Sequence, residues 1–311
     1  MIGDLMAEIP PGERYAEAAR GWFEGVLGEV FGDLREGLRT RPATRKISKH
    51  WDDGPEGEPG QVRGELETGT SVWKSRMVVF TEASWQQFLG ELGKSPAIAS
   101  LCISVIGQNG YLSEDGAVIR VVRYEEEPDW VRFTFWAPAL FTWRARMEEG
   151  HRFGGTAAVQ PGPGGGWIGS AELQDRWAAV VRRLAARIGV SAGMITVRGG
   201  GPGIDEVVTY PDWPPENVVQ PPEYVQEIAM LGSGQDVLYR YSWVTVVPTG
   251  LVARLGGAAD LASSGAFFEV SELPDGSVWL RATKTIDEFD AARSAAVAAA
   301  LGPVLVAAQV L

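Results

Sequence analysis

The chain has 311 residues, 45% of them apolar and 22% charged, which is enough for one large folded domain or two of ordinary size. Forty Asp and Glu residues against 28 Lys and Arg give a formal net charge of −12, which disfavours a general nucleic-acid-binding role because such a surface repels phosphates. A single cysteine and two histidines exclude an internal disulfide and zinc sites built from several Cys or His ligands.

The amino-terminal residues carry acids where a secretion signal needs basic residues. No uncharged apolar stretch reaches the length of about 20 residues that a membrane-spanning helix needs. We therefore expect a cytoplasmic protein without a membrane segment.

Residues 1–51 are predicted to form an amphipathic helix and a basic segment. Between Gly12 and Arg39, apolar side chains recur at helical spacing. The cations that follow reverse the sign of the chain locally and form a candidate secondary interaction patch: Arg41, Arg45, Lys46 and Lys49. The acids that come next allow the other interpretation, a locally neutralised or solvated loop.

Residues 52–70 are rich in Gly, Pro and acids, a composition typical of a mobile loop. A first α/β half is predicted over residues 71–150. Its expected elements are a strand at Val72–Phe80, a helix at Thr81–Gly93 capped by Thr81, and strands at Leu101–Val105, Val118–Tyr124 and Trp130–Trp136.

An acidic turn is predicted between the last two of these strands, with Glu125, Glu126, Glu127 and Asp129. Four carboxylates there can bind a basic protein surface, or they can simply solvate the turn. Their spacing does not match a calcium-binding loop, so no metal site is predicted.

The second half is predicted over residues 151–311. Its expected elements are a helix at Ser170–Ile188, strands at Met194–Val197 and Val237–Val247, a helix at Thr249–Ala262, a hairpin of Ala266–Glu272 with Ser277–Thr283, and a helix at Asp287–Leu301. Trp213 lies between prolines in an extended loop, where it can be an exposed anchor for a partner or can pack back onto the body.

The order of elements predicts an α+β fold with a mostly antiparallel sheet and flanking helices. Strand, helix and hairpin recur in the two halves, so two similar α/β halves are compatible with the sequence, although no repeat of fixed period supports them.

No catalytic constellation is recognisable. The glycine run Gly199–Gly203 lacks the Lys and Ser or Thr of a phosphate-binding loop, and no nucleophile motif has an assignable histidine. We therefore predict no catalytic residues and no cofactor. The alternative is an enzyme or small-molecule-binding domain whose carboxylate and arginine site the sequence does not identify.

The last third resembles a known family. The segment Tyr239–Val247, then Leu255-Gly256-Gly257, then Gly276–Thr283 is similar to the carboxy-terminal part of the type VI immunity family, over residues 237–305. That resemblance implies a non-catalytic inhibitor that binds and blocks a bacterial toxin, associated with type VI secretion. With the negative net charge, it points to a basic toxin as the protein partner. The sequence leaves the oligomeric state open.

Overall fold

The computed structural model describes residues 2–43, 57–71, 74–108, 110, 112–124, 128–136, 171–196, 237–238 and 241–305. The chain divides into two compact units. The central unit is Ile9–Ala157, and the terminal unit combines Met1–Glu8 with Ala158–Leu311.

The described strands are β1 Ile2–Glu8, β2 Val62–Ser71, β3 Lys74–Val79, β4 Ile98–Ile106, β5 Leu112–Arg123, β6 Trp130–Trp136, β7 Ala192–Thr196, β8 Val244–Val247, β9 Glu269–Glu272 and β10 Val278–Arg281. The described helices are α1 Glu13–Gly25, α2 Gly32–Thr40, α3 Glu82–Glu91, α4 Ala171–Ile188, α5 Thr249–Val252, α6 Gly257–Ser263 and α7 Ala291–Leu301. All described strand pairs within each unit are antiparallel, which confirms the predicted α+β class.

The central unit has a five-stranded sheet in the order β3-β2-β4-β5-β6. One face of this sheet is apolar because a buried row crosses four strands, from Leu66 through Leu101 and Ile119 to Phe135. Trp22 of α1 packs on this face, with its ring centroid 6.0 Å from that of Phe135. The helices therefore cover one side of the sheet through aromatic contacts.

The amphipathic helix predicted from Gly12 to Arg39 is two helices. A π-helical turn at Val26–Val30 separates α1 from α2. The apolar spacing continues through the turn, since Val26, Leu27 and Val30 are all buried. Helical periodicity predicts the buried face but not a one-turn change in the hydrogen-bonding pattern.

Helix α3 begins where the sequence predicts it. The Thr81 hydroxyl accepts a hydrogen bond from the Ser84 amide at 3.0 Å, and the Ser84 hydroxyl accepts one from the Thr81 amide at 2.7 Å. This reciprocal cap satisfies two amides at the helix start.

The predicted loop at 52–70 is wrong from Val62 onward, where β2 begins. The glycines that suggest a loop are instead required by packing. A Cβ on Gly64 would lie 2.6 Å from Phe80 Cβ, and one on Gly69 would lie 2.7 Å from Ser75 Cα. In β2, glycine marks close approach of neighbouring atoms rather than a turn.

Within the terminal unit, five strands are hydrogen-bonded in the order β1-β7-β8-β10-β9. Strand β1 pairs with β7, with Leu5 opposite Gly193. A Cβ on Gly193 would lie 2.5 Å from Leu5 Cδ2, so the absence of a side chain lets Leu5 and Val246 approach across β7. The sequence analysis places residues 1–51 in a segment of their own, because no local pattern shows a partner strand so distant along the chain.

Helix α4 packs in the terminal unit through one buried face, which includes Trp177, Val181 and Leu184. Acidic Glu172 lies in its first turn and Arg187 in its last, which complements the helix dipole.

The helix predicted at Thr249–Ala262 is broken at Gly256, whose φ of +79° is left-handed and ends the first piece.

The two units share a coarse order of strand, helix and hairpin, but the hairpins pair differently. In the central unit the first hairpin strand, β4, pairs with β2. In the terminal unit the second hairpin strand, β10, pairs with β8.

Among the described residues, no helix is long and apolar enough to cross a membrane.

Candidate functional site

The structure describes only part of the predicted acidic turn. Asp129 is exposed in the turn before β6, and its carbonyl accepts a hydrogen bond from the Ile9 amide at 2.6 Å. Glu125, Glu126 and Glu127 lie outside the described residues, as does Trp213. Binding by these residues stays a prediction.

The predicted basic patch is also described at one position only. Arg41 is exposed just after α2, where its carbonyl accepts a hydrogen bond from the Val62 amide at 2.9 Å. Arg45, Lys46 and Lys49 lie outside the described residues. The described part therefore shows Arg41 joining α2 to the start of β2.

A buried ion pair lies on the face of the central sheet opposite its apolar row. Alternation along β2 places Arg63, Glu65 and Glu67 on this face. The Arg63 Nε donates to Glu65 Oε1 at 2.9 Å, with side-chain exposures of 2% and 9%. Composition does not reveal this pair, because both residues lie in the segment 52–70 whose Gly, Pro and acid content is typical of a loop.

A carboxylate with two hydroxyl donors lies beside that pair. Glu67 accepts hydrogen bonds from Ser75 at 2.5 Å and Ser100 at 2.9 Å. Glu65, Glu67, Ser100, Arg120 and the half-buried Cys102 line a cavity of about 10 Å³, room for about one water molecule. The cluster has the residue types of a small-molecule site without the space for one.

The terminal unit holds a second buried arginine, at the end of β10. Arg281 NH2 donates to Asp175 Oδ1 of α4 at 2.6 Å and also to the Lys284 carbonyl. Its guanidinium carbon lies 4.8 Å from the centroid of the Trp243 ring. Arg281 therefore joins a sheet strand, a helix and the loop after β10.

That loop is held by further buried groups. The Trp243 indole donates to the Thr283 carbonyl at 3.0 Å. The Gln174 side chain accepts a hydrogen bond from the Ile286 amide at 2.8 Å, and its amide nitrogen lies 3.4 Å from Asp287. We call this assembly of α4, β10 and residues 281–287 the arginine corner.

One large aromatic side chain next to the arginine corner is exposed. Phe268 is 58% exposed, and its ring centroid lies 5.7 Å from the Arg281 guanidinium carbon. The sequence predicts that Phe268 lies in a hairpin strand and does not predict its exposure. Its neighbour Phe267 carries the same sequence signal, so only the packing distinguishes them.

The pKa values of two described acidic side chains, Tyr15 and Glu36, are shifted from their ordinary values. Burial raises the pKa of the Tyr15 hydroxyl, although the positive charge of Arg123 lowers it in part. The hydrogen bond from Arg39 lowers the pKa of the exposed Glu36 carboxylate.

Within the described ranges, no three His, Cys, Asp or Glu side chains are placed to hold a metal ion.

Comparisons with known proteins give one structural likeness. No family model matches the chain, and no curated protein matches it. A solved structure of the Pseudomonas aeruginosa T6SS protein PA0821 aligns with a TM-score of 0.51, at 11% identity, over 98% of this chain and 72% of that one. The likeness shows a shared fold.

The residues of the carboxy-terminal resemblance have architectural positions. Trp243 and Trp279 are fully buried, and the Tyr241 hydroxyl lies 3.2 Å from that of Ser294. Gly256 provides the left-handed end of a helix. The described residues of this motif therefore have structural positions in the terminal unit.

Proposed function

We propose that the chain is a non-catalytic protein-binding protein of the immunity type, which inhibits a bacterial toxin by occupying it. The observation that carries the proposal is the fold shared with a T6SS protein over 98% of this chain. The resemblance of residues 237–305 to the type VI immunity family supports the same direction.

The charge of the chain favours a basic toxin as the partner. A net charge of −12 attracts a positively charged protein and accelerates its association. Inhibition by occupation needs a rigid surface rather than reactive groups. The arginine corner provides such a surface, since its loop is fixed by the bonds of Arg281, Gln174 and Trp243.

Stoichiometry tests the proposal. Each secreted-toxin gene that neighbours the gene for this chain is expressed, and the activity of the purified toxin is titrated with the purified chain. An occupying inhibitor abolishes activity with a break at one chain per toxin. An unrelated acidic protein of equal net charge is the control and should leave the toxin active.

The same titration distinguishes the alternatives. Inactivation by far less than one chain per toxin would indicate an enzyme that modifies the toxin. A chain that neither binds nor inhibits any neighbouring toxin, even in large molar excess, would overturn the immunity proposal.

The small-molecule alternative has one supporting observation, the cluster of buried Glu65 and Glu67 with half-buried Arg120 around a small cavity. Its cavity of about 10 Å³ compares with roughly 300 Å³ or more for pockets that bind drug-sized ligands. We therefore assign this cluster to the cohesion of the central sheet, and the protein-binding proposal is the better supported.

A further inference from the structure

Two of the described strands have a neighbouring strand on one side only. Strand β3 pairs with β2, strand β9 pairs with β10, and each stands at one end of the strand order. Part of the backbone amides and carbonyls of an edge strand point away from its neighbour, where they can pair with a further strand. The edges of β3 and β9 can therefore each bind an additional strand through the backbone.

The edge strand β3 is basic and open to solvent. Its first four residues, Lys74, Ser75, Arg76 and Met77, are all exposed. The ion pairs made by the described residues include neither of the two cations. Lys74 and Arg76 lie two residues apart, so their side chains project from the same face of the strand. This edge therefore presents two cations whose charge is not locally neutralised.

The edge strand β9 has the opposite charge. Glu269 stands at its start and Glu272 at its end. The Glu269 carboxylate is already bonded to Arg182 of α4. Glu272 is exposed, and none of the ion pairs made by the described residues includes it. Glu272 is therefore the carboxylate that this edge can offer to a cation.

The charges of the two edges determine which pairs of edges can meet. Lys and Arg on an edge strand repel an identical edge, which is a common protection against edge-to-edge pairing. Two copies of β3 side by side would bring the cations of both copies into one contact. That protection does not act between β3 of one copy and β9 of another, because the cations of β3 then meet the free carboxylate of β9.

One antiparallel register matches the side chains of the two strands. With Arg76 opposite Glu272, Val78 lies opposite Val270 on the same face, and Lys74 lies diagonally across from Glu272. Pairs of opposite charge and pairs of β-branched side chains both stabilise neighbouring strands. Val78 and Val270 are each half-buried, so the contact would remove further apolar surface from water.

We propose that β3 of one copy of this chain docks beside β9 of a second copy in this register. The proposal goes beyond the proposed function and does not rest on it. Strand β9 has four residues, so the contact is short, and association should be weak compared with interfaces of about 1,200 Å² or more. Each copy has both kinds of edge, so association can continue beyond a dimer.

Sedimentation velocity of the full chain across a concentration series tests the association. The sedimentation coefficient of the wild type should rise as the concentration approaches about 1 mM, a range that detects weak contacts. Lys74→Glu with Arg76→Glu should weaken the association by about tenfold or more, because the cations of β3 become acids that repel Glu272. A wild-type chain that stays monomeric throughout the series would overturn the proposal.

A matched double variant controls for net charge. Arg187→Glu with Arg293→Glu reverses two exposed cations outside both edge strands, and it changes the net charge as much as the β3 variant does. This control should associate like the wild type, and circular dichroism checks that every variant is folded. Equal weakening by the two double variants would assign the effect to total charge and count against the edge contact.

A mixing experiment identifies the two edges. Glu272→Lys should also weaken the association, because the β9 edge then repels β3. The β3 variant and the Glu272→Lys variant should associate when mixed in equal amounts, since the first keeps an intact β9 and the second keeps an intact β3. A Glu272→Lys variant that associates like the wild type would indicate contact between two β3 edges instead. A mixture that stays monomeric would also contradict the proposal.

Discussion

Arg63 in the central unit and Arg281 in the terminal unit are both buried in ion pairs, but their partners differ. Glu65 lies two residues from Arg63 on the same strand and is 9% exposed. Asp175 lies on a helix 106 residues away from Arg281 and is 53% exposed. The first pair is enclosed in one sheet, whereas the second joins separate elements beneath an accessible surface.

This difference separates two uses of a buried arginine. A fully enclosed pair contributes mainly to the cohesion of the fold, since both groups must remain desolvated. A pair with one exposed partner can fix a surface without a large desolvation cost. The difference supports the proposal that the arginine corner presents a binding surface, and it assigns the pair of Arg63 and Glu65 to the cohesion of the central sheet.

The largest expected effect is at the enclosed pair. Glu65→Ala should lower the free energy of unfolding by about 3 kcal/mol, because a buried guanidinium loses a charge-assisted hydrogen bond. Urea unfolding followed by tryptophan fluorescence measures it. Glu36→Ala, which breaks the exposed pair with Arg39, is the control and should leave the midpoint unchanged.

At the half-exposed pair the effect should be smaller. Asp175→Ala should lower the free energy of unfolding by about 1.5 kcal/mol, between the values typical of buried and surface ion pairs. The loss is limited because Arg281 still has its hydrogen bond to the Lys284 carbonyl and its contact with the Trp243 ring. The same urea experiment applies, with Glu172→Ala as the control on the first turn of α4. A cost equal to that of Glu65→Ala would contradict the comparison.

The stability of the protein at alkaline pH should depend on Tyr15, a buried residue of the central unit. Burial raises the pKa of Tyr15 above its ordinary value of 10.0. Its contribution to stability is therefore complete below pH 10 and is lost as the pH rises above it, by about 1 kcal/mol between pH 10 and 11.

Tyr15→Phe should remove that part of the alkaline dependence. The variant also loses the hydrogen bond from the hydroxyl to the Pro96 carbonyl, at 3.1 Å, so its stability at neutral pH is the reference. Urea unfolding across the alkaline range decides the point. Parallel pH profiles for the two proteins would show that Tyr15 does not contribute.

The smallest expected effect concerns the predicted acidic turn. Reversing Glu125, Glu126 and Glu127 to Lys changes the charge by six units and should slow association with the proposed toxin by about threefold, since steering depends on the overall field. Stopped-flow rates across a salt series measure this. Rates that respond to neither salt nor the reversal would assign the acidic charge to solubility alone.

Local patterns predicted several elements well. The strand at Trp130–Trp136, the Thr81 cap and the hairpin that β9 forms with β10 all depend on neighbouring residues, and all are present. The strand β2 within the predicted 52–70 loop depends on its partners β3 and β4, which lie further along the chain. The breaks at Val26–Val30 and Gly256 interrupt segments whose apolar spacing continues at helical period, and that spacing does not show them. Composition alone therefore misassigned them.

The sequence by itself determined the α+β class and the apolar faces of the predicted elements, because these follow from the alternation and helical spacing of side chains within one segment. Only the tertiary structure decided that β1 pairs with β7, that Arg63 and Glu65 are enclosed, and that Phe268 is exposed while its neighbour packs more closely. Pairing and exposure depend on contacts between residues far apart in the chain, and no local pattern contains them.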